Sequence, residues 1–352
     1  MVKNITGKRD FVESLRGKNA TFMLAMSNTN TANIEGITQA GIPGKIYLTP
    51  TLDAEFLTTG EVRSLDNIAE TPKGVPTPAL ITRAVHLLKP FSNIELLNLG
   101  VEKLPEIEYF KIHDFDIKPS QSIQDGANIN AQELFQKGIE FGQNYVCKDD
   151  YIILAESVPS GTTTAKATAL ALGYECKDSF SSSFKDVPND IRETTIQEAL
   201  KNIPSNSDIF TILGLVSDNM IIFNAGFVLG LNNKIPLVLA GGTQMACVLL
   251  VINKILEVMQ GEIETLHLAL STTSWIANDE KSDIKQILEM CNFSVNSYFA
   301  DFDFALSSHP ALKLYDEGEA KEGVGAGGAL VYAMLNGLGK EEITKKIESL
   351  LG

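Results

Sequence analysis

Aromatic side chains are scarce in this chain. They make up 7% of its 352 residues, with a single tryptophan, too few to build a stacking platform for single-stranded nucleic acid. Basic residues are outnumbered, 29 Lys and Arg against 44 Asp and Glu, for a formal net charge of −15. That balance argues against a nucleic-acid backbone or an anionic membrane surface as the main partner, since either needs a cationic face. An anionic small molecule in a locally positive pocket stays open. The four cysteines, Cys147, Cys176, Cys247 and Cys291, are far apart and form no C-x-x-C pair. They indicate neither a zinc site nor a disulfide framework, and reduced thiols in a cytosol are the simple reading. The longest apolar run, residues 245–252, stops at Asn253-Lys254 and is too short to span a bilayer. Residues 1–18 are charged throughout, without a signal-peptide core. The expected setting is soluble and cytoplasmic. There is no repeat of fixed period and no low-complexity segment.

What is present is the profile of a compact globular protein, 44% hydrophobic and 21% charged. The length suits two domains of about 150 residues, or one large α/β unit with an appendage. A core of that size needs no metal or disulfide staple. One pattern recurs: a short apolar run followed by a small, hydroxyl-rich turn. It is seen at residues 21–26, 45–48, 94–99, 151–155, 209–216, 235–240 and 266–270. Continuous apolar runs of this length read as strands buried on both faces. Helical stretches follow several of them, at 162–172, 220–229, 245–259 and 279–290. The alternation predicts an α/β fold, a three-layer Rossmann-like parallel sheet with helices on both faces. In such folds ligands bind beyond the carboxyl ends of the strands, where these turns fall. Residues 67–78, broken by Pro72, Pro76 and Pro78, read as linker-like, and residues 118–130 as irregular. In the tail, Ile343, Ile347, Leu350 and Leu351 share a helical face that predicts packing against the body. The domain reading is a catalytic unit over 20–310, with 1–19 and 311–352 forming a small helical lobe.

Two segments carry chemistry. In the first, a strand ends at Glu156, a Pro159-Ser160-Gly161 turn follows, and Thr162, Thr163 and Thr164 open an alanine-rich helix. Free backbone N–H groups and the helix dipole attract an anion to such a terminus. The competing reading is an ordinary helix start with Thr162 as N-cap. It is not a Walker A loop, because no Gly-Lys-Ser/Thr follows Gly161 and Lys166 lies inside the helix. Glu156 is a carboxylate at the end of an apolar strand, where it must be paired or put to use. Its place alone favours a structural tie of the turn over direct catalysis. In the second segment, Glu322 precedes glycines at 323, 325, 327 and 328. A carboxylate held there in a partly apolar pocket suits a general base. Composition by itself reads the segment as a solvated loop leading into an apolar helix.

Together these segments resemble the two signatures of the nicotinate-nucleotide–dimethylbenzimidazole phosphoribosyltransferase (CobT) family, most nearly its archaeal and cyanobacterial branch. The residues concerned are Glu156-x-x-x-x-Gly161-Thr162-Thr163-Thr164-Ala165 and Glu322-Gly323-Val324-Gly325-Ala326. The helix at 220–229, the strand ending in Gly241-Gly242, and residues 76–84 are similar as well. The resemblance covers most of the chain. It implies transfer of ribose 5-phosphate from nicotinate mononucleotide to a ring nitrogen of a lower-ligand base, with inversion at the anomeric carbon and release of nicotinate. By position, Glu322 matches the catalytic base, with Glu156 beside it as a second catalytic carboxylate. Gly161, Thr162, Thr163 and Thr164 match the phosphate turn; Arg192 matches a phosphate-binding lysine, and Ser182 and Ser183 lie near the turn that precedes it. Gly241, Gly242, Ser271, Thr272, Thr273, Gly323 and Gly325 would line the nucleotide side, and Asp53, Glu55, Pro76 and Thr77 the base pocket. A homodimer is implied too. No metal or cofactor is expected: the leaving pyridinium is already cationic, so departure neutralises it. His113-Asp114-Phe115-Asp116 reads as a solvated turn.

The sequence departs from the family where Pro159-Ser160-Gly161 replaces its glycine-and-asparagine pattern, and Glu317 and Glu319 stand close enough to Glu322 to compete for the role of base. The acceptor stays open among dimethylbenzimidazole, another benzimidazole and adenine. Rival readings are a nucleotide-binding paralogue without turnover and a transferase for another phosphorylated nucleoside.

Overall fold

The computed structural model describes residues 1–66, 68, 70–176, 178–186 and 188–351. Eight strands form its sheet: β1 (Val2–Thr6), β2 (Ala20–Met26), β3 (Asn93–Asn98), β4 (Lys111–Asp114), β5 (Tyr151–Ser157), β6 (Leu237–Ala240), β7 (Leu268–Thr272) and β8 (Asn296–Ala300). Their order is β1-β8-β7-β6-β5-β2-β3-β4. Every pairing is parallel except that of β1 with β8. The central strands β2 and β5 are buried along their whole length, as apolar runs covered on both faces should be. The edge strands β1 and β4 carry the exposed polar residues.

The first seven helices are α1 (Asp10–Ser14), α2 (Thr49–Thr59), α3 (Ala79–Leu88), α4 (Ala131–Asn144), α5 (Gly161–Ala171), α6 (Asn189–Lys201) and α7 (Ile209–Val216). The rest are α8 (Asn219–Leu231), α9 (Thr243–Met259), α10 (Ser274–Ala277), α11 (Ile284–Glu289), α12 (Pro310–Asp316), α13 (Ala326–Leu335) and α14 (Lys340–Glu348). Two large cores result, one on each side of the sheet, with two small clusters beside them. The first joins α1, α2, α3, α12, α13 and α14 to it; the second joins α4, α5, α8, α9 and α11.

The residues grouped as a small lobe lie against this same sheet. β1 is its edge strand, and α13 packs on β6, β7 and β8. A glycine in the first turn of α13 serves that approach: a Cβ on Gly327 would stand 2.1 Å from the backbone of Thr272. Ile343 and Ile347 of α14 are fully buried.

Four local expectations are corrected. The run at 209–216 is helix α7, not a strand. Asp208 caps it by accepting from the N–H groups of Phe210 and Thr211 at 2.9 and 3.1 Å, and periodicity cannot separate a buried strand from a short buried helix. The run at 45–48 contains the 3₁₀ turn Ile46–Leu48 that leads into α2. The helix expected over 279–290 is the shorter α11, started by Asp283 accepting from Gln286 N. His113 and Asp114 belong to β4, where His113 is bound to Glu95 at 2.6 Å. Asn67 and Ala69 of the linker-like stretch lie outside the described residues. Beyond them, Thr71 and Val75 close a tight turn, Thr71 N donating to Val75 O at 2.9 Å, and Val75 is fully buried.

Candidate active site

The chain runs outward from β2 through β3 to β4 on one side, and from β5 through β6 and β7 to β8 on the other. The reversal between β2 and β5 leaves a crevice beyond their carboxyl ends, where open α/β sheets hold ligands. A cleft partly open to solvent lies there. Its walls come from α2, the turn at 70–78, the β5–α5 turn, residues 181–183, the start of α9 and the loop at 320–324.

Three raised carboxyl groups, those of Glu322, Glu156 and Asp53, line its floor, and a fourth, Asp218, is buried behind Glu156. The Glu322 carboxylate accepts four hydrogen bonds. Thr272 Oγ1 and Thr273 N donate to Oε2 at 3.2 and 2.9 Å, and Gly323 N and Gly327 N donate to Oε1, both at 3.1 Å. Burial nonetheless outweighs these donors and pushes its pKa up to about 7. Glu156 is 6% exposed. Burial, then the neighbouring charges of Glu322 and Asp218, push it up to about 8. Glu156 and Glu322 are joined through the chain as well, since Val324 N donates to Glu156 O at 2.9 Å. Asp53 accepts from Thr77 Oγ1 at 2.6 Å and Ser157 Oγ at 2.7 Å, and burial raises it to about 6. Asp218 caps α8 by accepting from Ile221 N at 3.0 Å, takes the Thr164 hydroxyl, and is also raised to about 6 by burial.

The opposite side of the cleft is built to receive an anion. Ser160, in the left-handed conformation at φ 68°, precedes α5, and the start of the longer α9 stands next to it. Gln244 lies directly over Gly161, where a Cβ would come within 2.0 Å of its Nε2. Gln244 Nε2 and Ser160 Oγ are buried without a hydrogen-bond partner among the described residues, and both residues line the cleft. Such orphaned donors are costly unless a ligand or water satisfies them.

The residues expected from the sequence divide accordingly. Glu322, Glu156, Gly161, Thr162, Ser182, Ser183, Gly242, Gly323, Asp53, Pro76 and Thr77 line the cleft. Thr163 and Thr164 do not; both are buried beneath the turn. Thr272 and Thr273 stand behind Glu322 as its donors, and Gly241 lies beside the Glu156 side chain. Ser271 and Gly325 do not line it: Ser271 borders a separate small cavity, and Gly325 packs against Ala155, Phe22 and Ala240. Glu55 also points elsewhere. It accepts from Arg63 N, Ser64 N, Ser64 Oγ and Glu106 N at 2.7 to 2.9 Å, tying two surface loops together. Arg192 lies behind the phosphate turn, donating to Phe180 O at 3.2 Å and Thr162 O at 2.9 Å. Of the competing acids, Glu319 is ion-paired with Lys73 and Glu317 with Lys185, and neither lines the cleft. Sequence reasoning missed Gln244, Ser157 and Lys321, although each adjoins a segment it had singled out.

No family model matches the chain. A UPF0284 protein of Sulfurisphaera tokodaii is 34% identical over 352 residues, covering 99% of this chain and 97% of that one. A UPF0284 protein of Saccharolobus solfataricus is 32% identical over 355 residues, covering 99% and 96%. Among solved structures, nicotinate-nucleotide-dimethylbenzimidazole phosphoribosyltransferase of Thermus thermophilus aligns with a TM-score of 0.59 at 16% identity, covering 94% of this chain and 83% of that one. A second structure, CobT from the same organism, aligns at 0.59 and 15% identity, covering 97% and 92%. The likeness to CobT is one of fold, and the relatives that span the chain end to end show that it belongs to the UPF0284 family.

Proposed function

We propose that this protein is a phosphoribosyltransferase of cobamide assembly, moving ribose 5-phosphate from nicotinate mononucleotide to a lower-ligand base such as dimethylbenzimidazole. The observation that carries the reading is the pairing, in one cleft, of the raised carboxyl groups Glu322 and Glu156 with the orphaned donors Gln244 Nε2 and Ser160 Oγ. The donors and the free N–H groups at the starts of α5 and α9 suit a phosphate. The carboxylates suit the proton and the positive charge of the reaction.

In this reading the bond between the anomeric carbon and the pyridinium nitrogen breaks, and its electron pair neutralises the departing nicotinate ring. The imine-type ring nitrogen of the incoming base bonds to the opposite face of the sugar, and the N–H proton of its other ring nitrogen passes to Glu322. A base near neutrality is well matched to that transfer. Its four lone-pair positions are all occupied, so one donor must yield as the proton arrives. Thr272 Oγ1, the longest of the four and a hydroxyl free to rotate, is the donor that can do so. Glu156, the higher of the two, keeps its proton when Glu322 has given up its own and offers an O–H to the nucleotide. The two groups titrate as a coupled pair.

One observation favours a second reading, a nucleotide-binding protein without turnover. The bonds from Gly323 N and Gly327 N make Glu322 a cap for α13, a task that needs no chemistry. Mass spectrometry of purified protein with nicotinate mononucleotide, offered dimethylbenzimidazole or adenine separately, decides between them. An α-linked riboside phosphate with released nicotinate is the expected result. Nucleotide binding without product with any base overturns the transferase reading in favour of the second.

A further inference from the structure

Lys321 has no part in the chemistry above, yet it lines the cleft immediately before Glu322 and is 3% exposed. The other charged side chains lining the cleft are Asp53, Glu70, Glu156 and Glu322. Lys321 is thus the one cation among the described lining residues. A phosphate monoester entering these surroundings meets carboxyl groups, and two helix starts contribute only about half a positive charge each. A further counter-charge is needed, and it must come from within reach.

The ammonium of Lys321 has three donors. One goes to Asp279 Oδ2 at 2.7 Å. No described acceptor takes the other two. Asp279 is well supplied without it, accepting from Ser282 Oγ at 2.7 Å, Ser181 Oγ at 3.2 Å and Lys281 N at 3.2 Å. Ser181 extends the network, its N–H donating to Thr243 Oγ1 at 3.2 Å, and Thr243 opens α9. The ammonium is therefore tied through Asp279 and Ser181 to the same helix start that carries the orphaned Gln244 Nε2. Arg192, the cation expected here from the sequence, has turned its guanidinium to the carbonyls of Phe180 and Thr162 and does not line the cleft.

We propose that Lys321 is the phosphate-binding cation of this cleft, positioned by Asp279 and Ser181, and that it selects 5′-phosphorylated nucleotides over bare nucleosides. The inference rests on the reading above only for the identity of the nucleotide; the contact itself is with a phosphate monoester.

Calorimetry with inorganic phosphate, nicotinate mononucleotide and nicotinate riboside tests it in wild type, Lys321→Gln and Lys321→Arg. Glutamine still donates to Asp279 but removes the charge. It should weaken the mononucleotide by roughly 10- to 100-fold and leave the riboside unchanged, while arginine keeps most of the affinity. Unchanged mononucleotide affinity in a folded Lys321→Gln protein overturns the proposal and leaves the transferase reading standing. If wild type binds neither phosphate nor mononucleotide, both fall. A crystal structure of wild type soaked in phosphate needs no variant. Phosphate within hydrogen-bond distance of Lys321 Nζ supports the assignment, phosphate held elsewhere in the cleft overturns it, and an adventitious ion only, on the outer surface, overturns it too.

Discussion

Glu319 and Glu322 stand three residues apart in one loop, and their surroundings tune them in opposite directions. Burial pushes both upward. At Glu319 the ammonium of Lys73, the Gln39 side chain and Lys185 N outweigh it and hold the carboxyl below the ordinary range. At Glu322 four donors do not, and the group rises to about 7. The same contrast appears in α2, where Glu55, bound by three backbone N–H groups and a hydroxyl, is lowered, and Asp53, bound by two hydroxyls, is raised. Glu55 and Glu322 accept the same set, three backbone N–H groups and a hydroxyl, so the count of neutral donors does not settle the matter; its balance against desolvation at each site does. A nearby cation tips the balance more readily. The lowered acids hold loops together, and the raised ones face the cleft.

Exchanging each member of the first pair should separate chemistry from structure. Glu322→Gln should lower turnover by about 10²- to 10⁴-fold, the usual worth of a positioned general base, with mononucleotide affinity in calorimetry unchanged. Retained turnover would remove Glu322 from the role. Glu319→Gln should do the reverse, keeping saturated turnover within a few-fold while losing about 1 kcal/mol of stability in thermal melts at pH 7. Because the folded value of Glu319 is depressed, its contribution is present above the unfolded value and disappears as the pH falls through the folded one. The deficit of Glu319→Gln should accordingly shrink in acid.

The raised pair carries the opposite sign. Glu156 and Glu322 have folded values of about 8 and 7 against an ordinary 4.5. Their favourable contribution is complete below about pH 4.5 and is lost as the pH rises through those values. Glu156→Gln should thus raise the melting temperature at pH 8.5 relative to wild type and leave it little changed at pH 4. In the active protein, kcat/KM should rise through about 7 as Glu322 ionises and fall above about 8 as Glu156 does, a bell of macroscopic values. The smallest effect expected is that of Thr272→Val. Removing one donor to the Glu322 carboxylate should move the acidic limb of that profile up by roughly one pH unit. An unmoved limb would show that Thr272 is not the donor that yields.

Much of the fold was legible because fully apolar runs such as those of β2 and β5 need cover on both faces. The run at 209–216 was misread because burial on all sides erases the period that tells helix from strand. The turn after β5 and Glu322 were legible as a hydroxyl-rich helix start and an acid before glycines. The purpose of the glycines was not: Gly325 and Gly327 admit α13 to the sheet rather than a ligand to the cleft. Arg192 and Glu55 were misplaced for a related reason. Spacing along a chain cannot say which way a long side chain turns once its helix is packed.

By itself the sequence determined the alternation of strand and helix, the parallel sheet, the exclusion of a strongly cationic surface, and the two segments that meet at the crevice. Those follow from hydrophobic patterning, composition and local turn chemistry, which act over short stretches of chain. Only the tertiary structure decided which acids are raised, which donors are left without partners and which cation faces the cleft. These depend on desolvation and on neighbours brought together from β5, α9 and the loop at 320–324, segments spread over more than 160 positions of the chain. No local pattern records that distance.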